Sequence, residues 1–439
     1  MNDLDLGRSV EAAVERCLSA IAATAGEGAR TFTQVYPASA RAEAAAADRR
    51  RAAGMTLGAL DGCIVAVKDL FDVMGEPTWA GSVVLREAPA AAADATAVFR
   101  LRQAGAVIIG KTNMTEFAYS GVGLNPNFGT PANPYMRASM RRIPGGSSSG
   151  AAVAVADAMA DLGLGTDTGG SVRIPAALCG LGGWKPTARR GSRQGVWPRG
   201  PSLDSVGVIA NDVRTCANAD CVLAGVEPDL EEVPAPRLRL GRLRGYVESE
   251  VEPEVWQVYE RGVQRLTGAG VTIVDIEVPA LERVRREQPG VALLGYEAFH
   301  VHATLLTQYP ERYDPRVKSR LELGRAITME QYVHAQAVRE NLQQAAASEL
   351  QSFDAWLLPP VTRIAPPISA LDSDEGYLGI NRSLLRNTSL INFLDGCAIT
   401  LPCHARGHAP VGLSIAALGG CDARVLSIAK MLEPILNSA

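Results

Sequence analysis

A chain of 439 residues with 47% hydrophobic and 21% charged residues has the composition of an ordinary soluble globular protein and the length to bury a sizeable core. Its formal net charge of −4 gives neither nucleic acid nor an anionic membrane surface anything to hold, so neither is expected as a partner. No apolar run approaches the roughly 20 residues needed to cross a bilayer, and the start, MNDLDLGRSV, is polar and acidic, unlike a secretory leader.

In chain order, Val10, Ala13, Val14, Cys17, Leu18 and Ile21 recur at helical spacing and predict a helix from Arg8 to Ala23. A charged, alanine-rich helix follows over 41–51, and a short buried strand over 63–67 delivers Lys68 at its end. Residues 95–103 read as helix, 106–109 as strand, and another helix is expected over 112–119. Residues 149–159 form a helix of almost only small side chains, and 162–164 a short strand. Strands at 237–244 and 271–278 flank a helix at 252–266, and 281–353 reads as mainly helical. A buried strand at 355–358 ends at Pro359 and Pro360; strands at 398–401 and 411–416 and a helix at 423–436 close the chain. This alternation predicts an α/β protein, with a mixed, largely twisted β-sheet sandwiched between α-helices. No linker interrupts it, so a single domain over 1–439 is expected. The 8 cysteines are scattered without a C-x-x-C pair, which with the absent leader points to reduced thiols and a cytoplasmic location.

Glycine and serine are concentrated in two clusters, P-G-G-S-S-S-G from Pro144 and G-T-D-T-G-G-S-V-R-I-P from Gly165. Glycine permits close approaches that a side chain forbids. Serine supplies a small hydroxyl that attacks or carries a proton. The pairing points to acyl transfer at a site built from loop backbone and hydroxyls. Two other motifs compete. Gly105 to Thr112, G-A-V-I-I-G-K-T, satisfies the Walker A pattern, but its interior, Ala106 to Ile109, reads as a buried strand rather than a phosphate loop. Gly146 to Gly150 satisfies G-x-S-x-G with Ser148 at its centre, yet the arginine-rich residues before Pro144 make a poor strand for a nucleophile elbow. The 5 histidines, His404 and His408 among them, leave an α/β-hydrolase-type Ser–His enzyme as an alternative.

The two clusters, running on through Cys179-Gly180 and Lys185-Pro186-Thr187, resemble the signature of the amidase signature family. Val65-Ala66-Val67-Lys68-Asp69 resembles that family's lysine segment, and Ala106 to Phe117 its G-K-T-N-M-x-E-F segment, which accounts for the Walker match. Pro402 and Pro410-Val411-Gly412-Leu413 are similar to its closing strands. The similar segments cover about 60–215 and 354–439, leaving about 230–353 as a variable, substrate-shaping insertion. The resemblance implies a Ser–Ser–Lys triad in which Ser171 is the nucleophile, Ser147, after a cis peptide, the bridge, and Lys68 the base. A lysine serves as base only when neutral; its reference pKa of about 10.4 must fall to roughly 7–8, and burial behind the apolar strand favours that. Backbone N–H groups of Thr168, Gly169, Gly170 and Ser171 are expected to receive the oxyanion. Ser148 is expected as structural or hydrogen-bonding support, Asp167 with Arg173 as a pair holding the loop, and Cys179 as buried packing. No metal or organic cofactor is implied.

The resemblance leaves the substrate open. The expected reaction is cleavage of the C–N bond of a small amide, with aryl acylamides, carbamates and esters within range, using water and an acyl-enzyme. The alternative in the same family is the glutamine-hydrolysing subunit of a tRNA-dependent amidotransferase. Against it, Lys185 to Gly191 lacks the aromatic-Gly-Arg usual in those subunits, and their acidic residue for the glutamine amino group would fall near Leu385-Arg386. Tyr119, Asn125, Phe128 and Phe299 are candidates for the pocket wall, although such side chains are more often core. A homodimer is one quaternary state the resemblance implies.

Overall fold

The buried apolar runs pair into one 11-stranded mixed sheet flanked by helices. This computed structural model describes residues 9–227 and 229–438, so the polar start, with Arg8 of the expected first helix, lies outside the described residues. The strands are β1 (Phe32–Val35), β2 (Ile64–Lys68), β3 (Val107–Thr112), β4 (Leu162–Asp167), β5 (Gly182–Lys185), β6 (Ser205–Ala210), β7 (Arg239–Leu243), β8 (Thr272–Ile276), β9 (Ala355–Leu358), β10 (Cys397–Pro402) and β11 (Gly412–Ala417). Their order across the sheet is β1-β3-β2-β4-β6-β5-β10-β11-β9-β7-β8. β2 runs parallel to β3 and β4, and β7 parallel to β8 and β9; the other neighbours are antiparallel. β7 and β8, within the region set apart as an insertion, extend this same sheet at its far edge.

The continuous apolar runs follow from burial on both faces. Along β2, Val65 and Val67 enter one core with Val98 and Leu101, while Ile64 and Ala66 enter another with Val10, Val14, Ala40 and Ala44. The opening helix, Val10–Ala22, begins on Ser9, whose hydroxyl accepts from Ala12 N–H. The alanine-rich helix is longer than expected, Pro37–Ala52, with proline in its first turn, where a missing N–H costs nothing. β5 starts on two glycines, poor strand formers, and is held extended by partners on both sides.

The helix expected over 112–119 does not form. β3 continues through Thr112, and only a short 3₁₀ turn, Glu116–Ala118, follows. Phe117 and Ala118 have φ of 48° and 58°. Neighbouring loops claim the backbone: Thr115 N–H donates to Ser147 O at 3.2 Å and Phe117 N–H to Ala80 O at 2.9 Å. Among the described residues no helix is long and apolar enough to cross a membrane, and the cysteines are free.

Two features position the site. β2 and β4 are parallel neighbours with Val67 opposite Leu164, so Lys68 and the end of β4 emerge at one edge of the sheet. Beneath that edge lies the helix Ser149–Ala156, buried along nearly its whole length. Its small side chains are a packing requirement: a methyl group on Gly150 would sit 2.4 Å from Thr31 O and 2.6 Å from Asn113 O. Gly150→Ala is expected to destabilise the fold by about 1–3 kcal/mol or more, as overpacking against fixed backbone does. A urea midpoint equal to that of the wild type would refute this account of the helix.

Candidate active site

Lys68 ends β2 with its side chain fully buried. Its Nζ donates to Ser147 Oγ at 2.7 Å and to Thr166 Oγ1, on β4, at 3.0 Å. Ser147 lies just before the small-residue helix, and the Gly146–Ser147 peptide is cis. Burial, followed by the charge of Arg199, pulls the Lys68 ammonium down to about 7, against the smaller opposing pull of Asp167 and Asp204. Near neutral pH this amine is therefore poised between donor and base.

After β4 the chain turns around the Asp167 carboxylate. Arg173 grips it with two hydrogen bonds, Nε to Oδ2 at 3.0 Å and Nη2 to Oδ1 at 2.9 Å. Asn392 Nδ2 donates to Oδ1 at 2.9 Å, and Gly170 and Val172 donate backbone N–H at 2.7 and 3.2 Å. Burial alone would push this carboxyl up, but the Arg173 charge and hydrogen bonds, with Lys185 and Asn392, hold it well below the usual carboxylate range. The turn presents Ser171, whose carbonyl accepts from Ser148 N–H at 3.2 Å, tying the two Gly/Ser clusters together. The Ser171 hydroxyl is buried and has no hydrogen-bond partner among the described residues.

This turn corrects one expectation. The Gly170 N–H points at Asp167 and is not available to an oxyanion. The N–H groups of Thr168, Gly169 and Ser171 donate to no acceptor among the described residues. Gly170 serves by its shape instead: its φ is 129°, and a methyl group there would lie 2.2 Å from Thr388 Oγ1. Ser148 contributes through its backbone, its hydroxyl being buried without a partner among the described residues.

The pocket candidates separate. Tyr119 belongs beside the site, its ring 5.1 Å from the Arg199 guanidinium. Asn125 does not line a pocket: its amide is spent on Gly81 O and Met114 O, both at 2.8 Å, and its oxygen on the N–H of Asn127 and Phe128. Phe128 stacks on Trp79 at 5.7 Å. Phe299 lies under the Arg325 guanidinium, 5.2 Å away. Sequence reasoning passes over Thr166, Arg199, Asp204, Thr388 and Asn392. Thr166 stands inside the signature; the others lie within the similar segments but outside the motifs that carry the resemblance.

The competing motifs lose their geometry. Lys111 of the Walker match is a buried strand residue, 3.4 Å from Asp69 and donating to Pro77 O and Thr78 Oγ1. His404 approaches the carbonyl of Val411 at 3.3 Å, not a serine. Cys179 Sγ donates to Pro144 O at 3.4 Å, and burial raises its thiol far from thiolate chemistry. A cleft of about 320 Å³ lined by Asp72, Leu85 and Trp197 holds none of Lys68, Ser147 and Ser171.

Comparison with known proteins gives a consistent grouping. A family model described as Amidase matches residues 12–426. The 2-amino-5-chloromuconic acid deaminase of Comamonas testosteroni is 34% identical, covering 91% of this chain and 87% of that protein. A glutamyl-tRNA(Gln) amidotransferase subunit from Geobacter metallireducens is 33% identical over 88% of this chain and 85% of its own. A crystal structure of an amidase, 33% identical, superposes with a TM-score of 0.87 over 97% of this chain and 96% of the other.

The buried pair yields a stability prediction. Arg173→Met leaves the Asp167 carboxylate buried and unpaired, which is expected to cost about 3–5 kcal/mol. Chemical denaturation measures it, and a loss below about 1 kcal/mol would mean that the pair behaves like a solvated one.

Proposed function

Since this chain belongs to the amidase signature family and is a hydrolase of carbon–nitrogen bonds, we propose that it cleaves a small linear amide through an acyl-enzyme formed on Ser171. The observation that carries this reading is the buried Lys68 amine, 2.7 Å from Ser147 Oγ and lowered to about 7.

In this reading Ser171 Oγ attacks the amide carbonyl as its proton passes to Ser147 and the Ser147 proton passes to Lys68. Thr166 holds the amine in line. The Ser171–Ser147 contact closes with substrate bound, since catalytic hydrogen bonds are often loose in the empty enzyme. In this scheme the tetrahedral oxygen is received by the N–H groups of Thr168, Gly169 and Ser171, which have no other acceptor among the described residues. The proton returns through Ser147 to the leaving amine, and water then releases the acid by the same path.

A stand-alone amidase is favoured over a glutamine-hydrolysing subunit by one observation. A methyl group on Gly169 would lie 3.5 Å from Leu385 Cδ2, so an apolar side chain faces the place where an amino-acid substrate would need an acid for its ammonium. Arg386 turns away, donating to Tyr246 O at 3.0 Å. Carbamates and esters fall within the same chemistry.

Ser171→Ala is expected to lower turnover of a responsive amide by about 10⁴-fold or more, and Lys68→Ala by about 10²–10⁴-fold; activity surviving in Ser171→Ala removes the nucleophile from this scheme. Because only the neutral amine accepts a proton, kcat/KM should fall about tenfold per pH unit below about 7 and level off above it. A profile flat from pH 5 to 9 would remove Lys68 as the base.

A further inference from the structure

We infer that the substrate carries a carboxylate on its acyl side, bound by Arg199, and has no α-ammonium group; this rests on the amide-hydrolase reading above. Arg199 sits on the segment between β5 and β6 and is 4% exposed. Its side chain has no ion pair and no hydrogen bond among the described residues, and its Nε is buried without a partner. The acids nearest the site are already committed. Asp204 accepts from Thr168 Oγ1 at 2.6 Å and from the N–H groups of Arg199 and Gly200 at 3.0 and 3.1 Å. Asp167 is held by Arg173.

A second guanidinium makes the imbalance larger. Arg320, on the helix Pro315–Glu322 of the insertion, lies 4.8 Å from the Tyr119 ring and donates to the Tyr119 carbonyl. The ring thus has a cation 5.1 Å away at Arg199 and another 4.8 Å away at Arg320. A ring quadrupole offsets a buried cation only in part, by about 0.5–2 kcal/mol. Asp204 and Asp167 act on the Arg199 charge only from a distance, with no direct contact to its guanidinium; a buried guanidinium without a contacting carboxylate carries a penalty that a bidentate carboxylate relieves.

The guanidinium is also placed to read the substrate. Its Nη1 would be 4.0 Å from a methyl group on Gly169, whose N–H is one of the three free amides beside Ser171. A carboxylate there belongs to the same molecule as the attacked carbonyl. The atoms nearest that methyl position are Leu385 Cδ2 and Ser389 Cβ, at 3.5 and 3.9 Å, and neither side chain carries a negative charge for an ammonium. The Glu297 carboxylate, near Gly200, already accepts from Ser202 N–H at 3.0 Å and from Tyr332 Oη at 2.9 Å. The class that fits is the monoamide of a dicarboxylic acid without an amino group.

The test compares kcat/KM for succinamate, glutaramate and adipamate with their methyl esters and with glutamine, at pH 9 so that protonation of Lys68 does not enter. For at least one chain length the acid should exceed its ester by about 10–150-fold, the range for hydrogen bonds to a charged group. Arg199→Met should bring that ratio close to one, and Arg199→Lys should restore part of it. The ratio does not depend on how much of a variant folds. Acid and ester used alike by the wild type, a ratio unchanged in Arg199→Met, or glutamine equal to the best monoamide would each overturn the inference. Thermal shifts with the same monoamides on Ser171→Ala, with and without Arg199→Met, separate it from the parent reading. Stabilisation that requires Arg199, with no amide turned over by the wild type, keeps the carboxylate site and sinks the amidase scheme. Turnover of neutral amides with no Arg199-dependent binding does the reverse.

Discussion

The Asp167 carboxylate is the point around which the site is built. It is fully buried, and such a charge persists only when almost every lone pair is taken. Arg173 supplies two hydrogen bonds, Asn392 a third, and the backbone of its own turn the rest. Those backbone bonds curl residues 168–172 around the carboxylate, and that curl decides which N–H groups are spent on Asp167 and which are left without an acceptor beside Ser171. Arg173 Nη2 also reaches Thr388 O at 2.9 Å. One ion pair therefore fixes the turn and ties it to the helix Asp374–Phe393, which brings Leu385 and Thr388 against the glycines.

The same enclosure governs the lysine. A buried amine with an arginine in its surroundings is easier to keep neutral than an exposed one, and the parallel β2–β4 pair brings it to the Gly/Ser turn without any long loop. Arg199 thus has two effects on one site. Its charge disfavours the Lys68 ammonium, and its unpaired fork leaves a positive hole beside the Gly169 amide. The helix Pro315–Glu322 adds to this through Arg320 rather than through the aromatic side chains that composition suggests.

Legibility in the sequence varies with how local the cause is. The strands at 63–67 and 355–358 are readable because burial on both faces leaves an unbroken apolar run. The helix Ser149–Ala156 is readable because only small residues fit there. The segment 112–119 misleads because its apolar spacing suits a helix, whereas Thr115 and Phe117 give their N–H groups to distant loops. β5 escapes notice because two glycines hide a strand that its neighbours hold extended. Asn125 looks like a pocket residue, yet it closes hydrogen bonds within its own loop and to Gly81 and Met114.

The chemical inventory is legible in the chain before any folding: which residues carry an amine, a hydroxyl or a carboxylate, and the glycine spacing that lets backbone approach a reacting carbonyl. Those are covalent facts, present before folding. Packing of distant segments is what gives the Gly170 N–H to Asp167, lets Thr166 share Lys68 with Ser147, and leaves the Arg199 guanidinium buried with no carboxylate in contact. Hydrogen-bond direction and charge pairing depend on which distant segments pack together, and no local pattern records that.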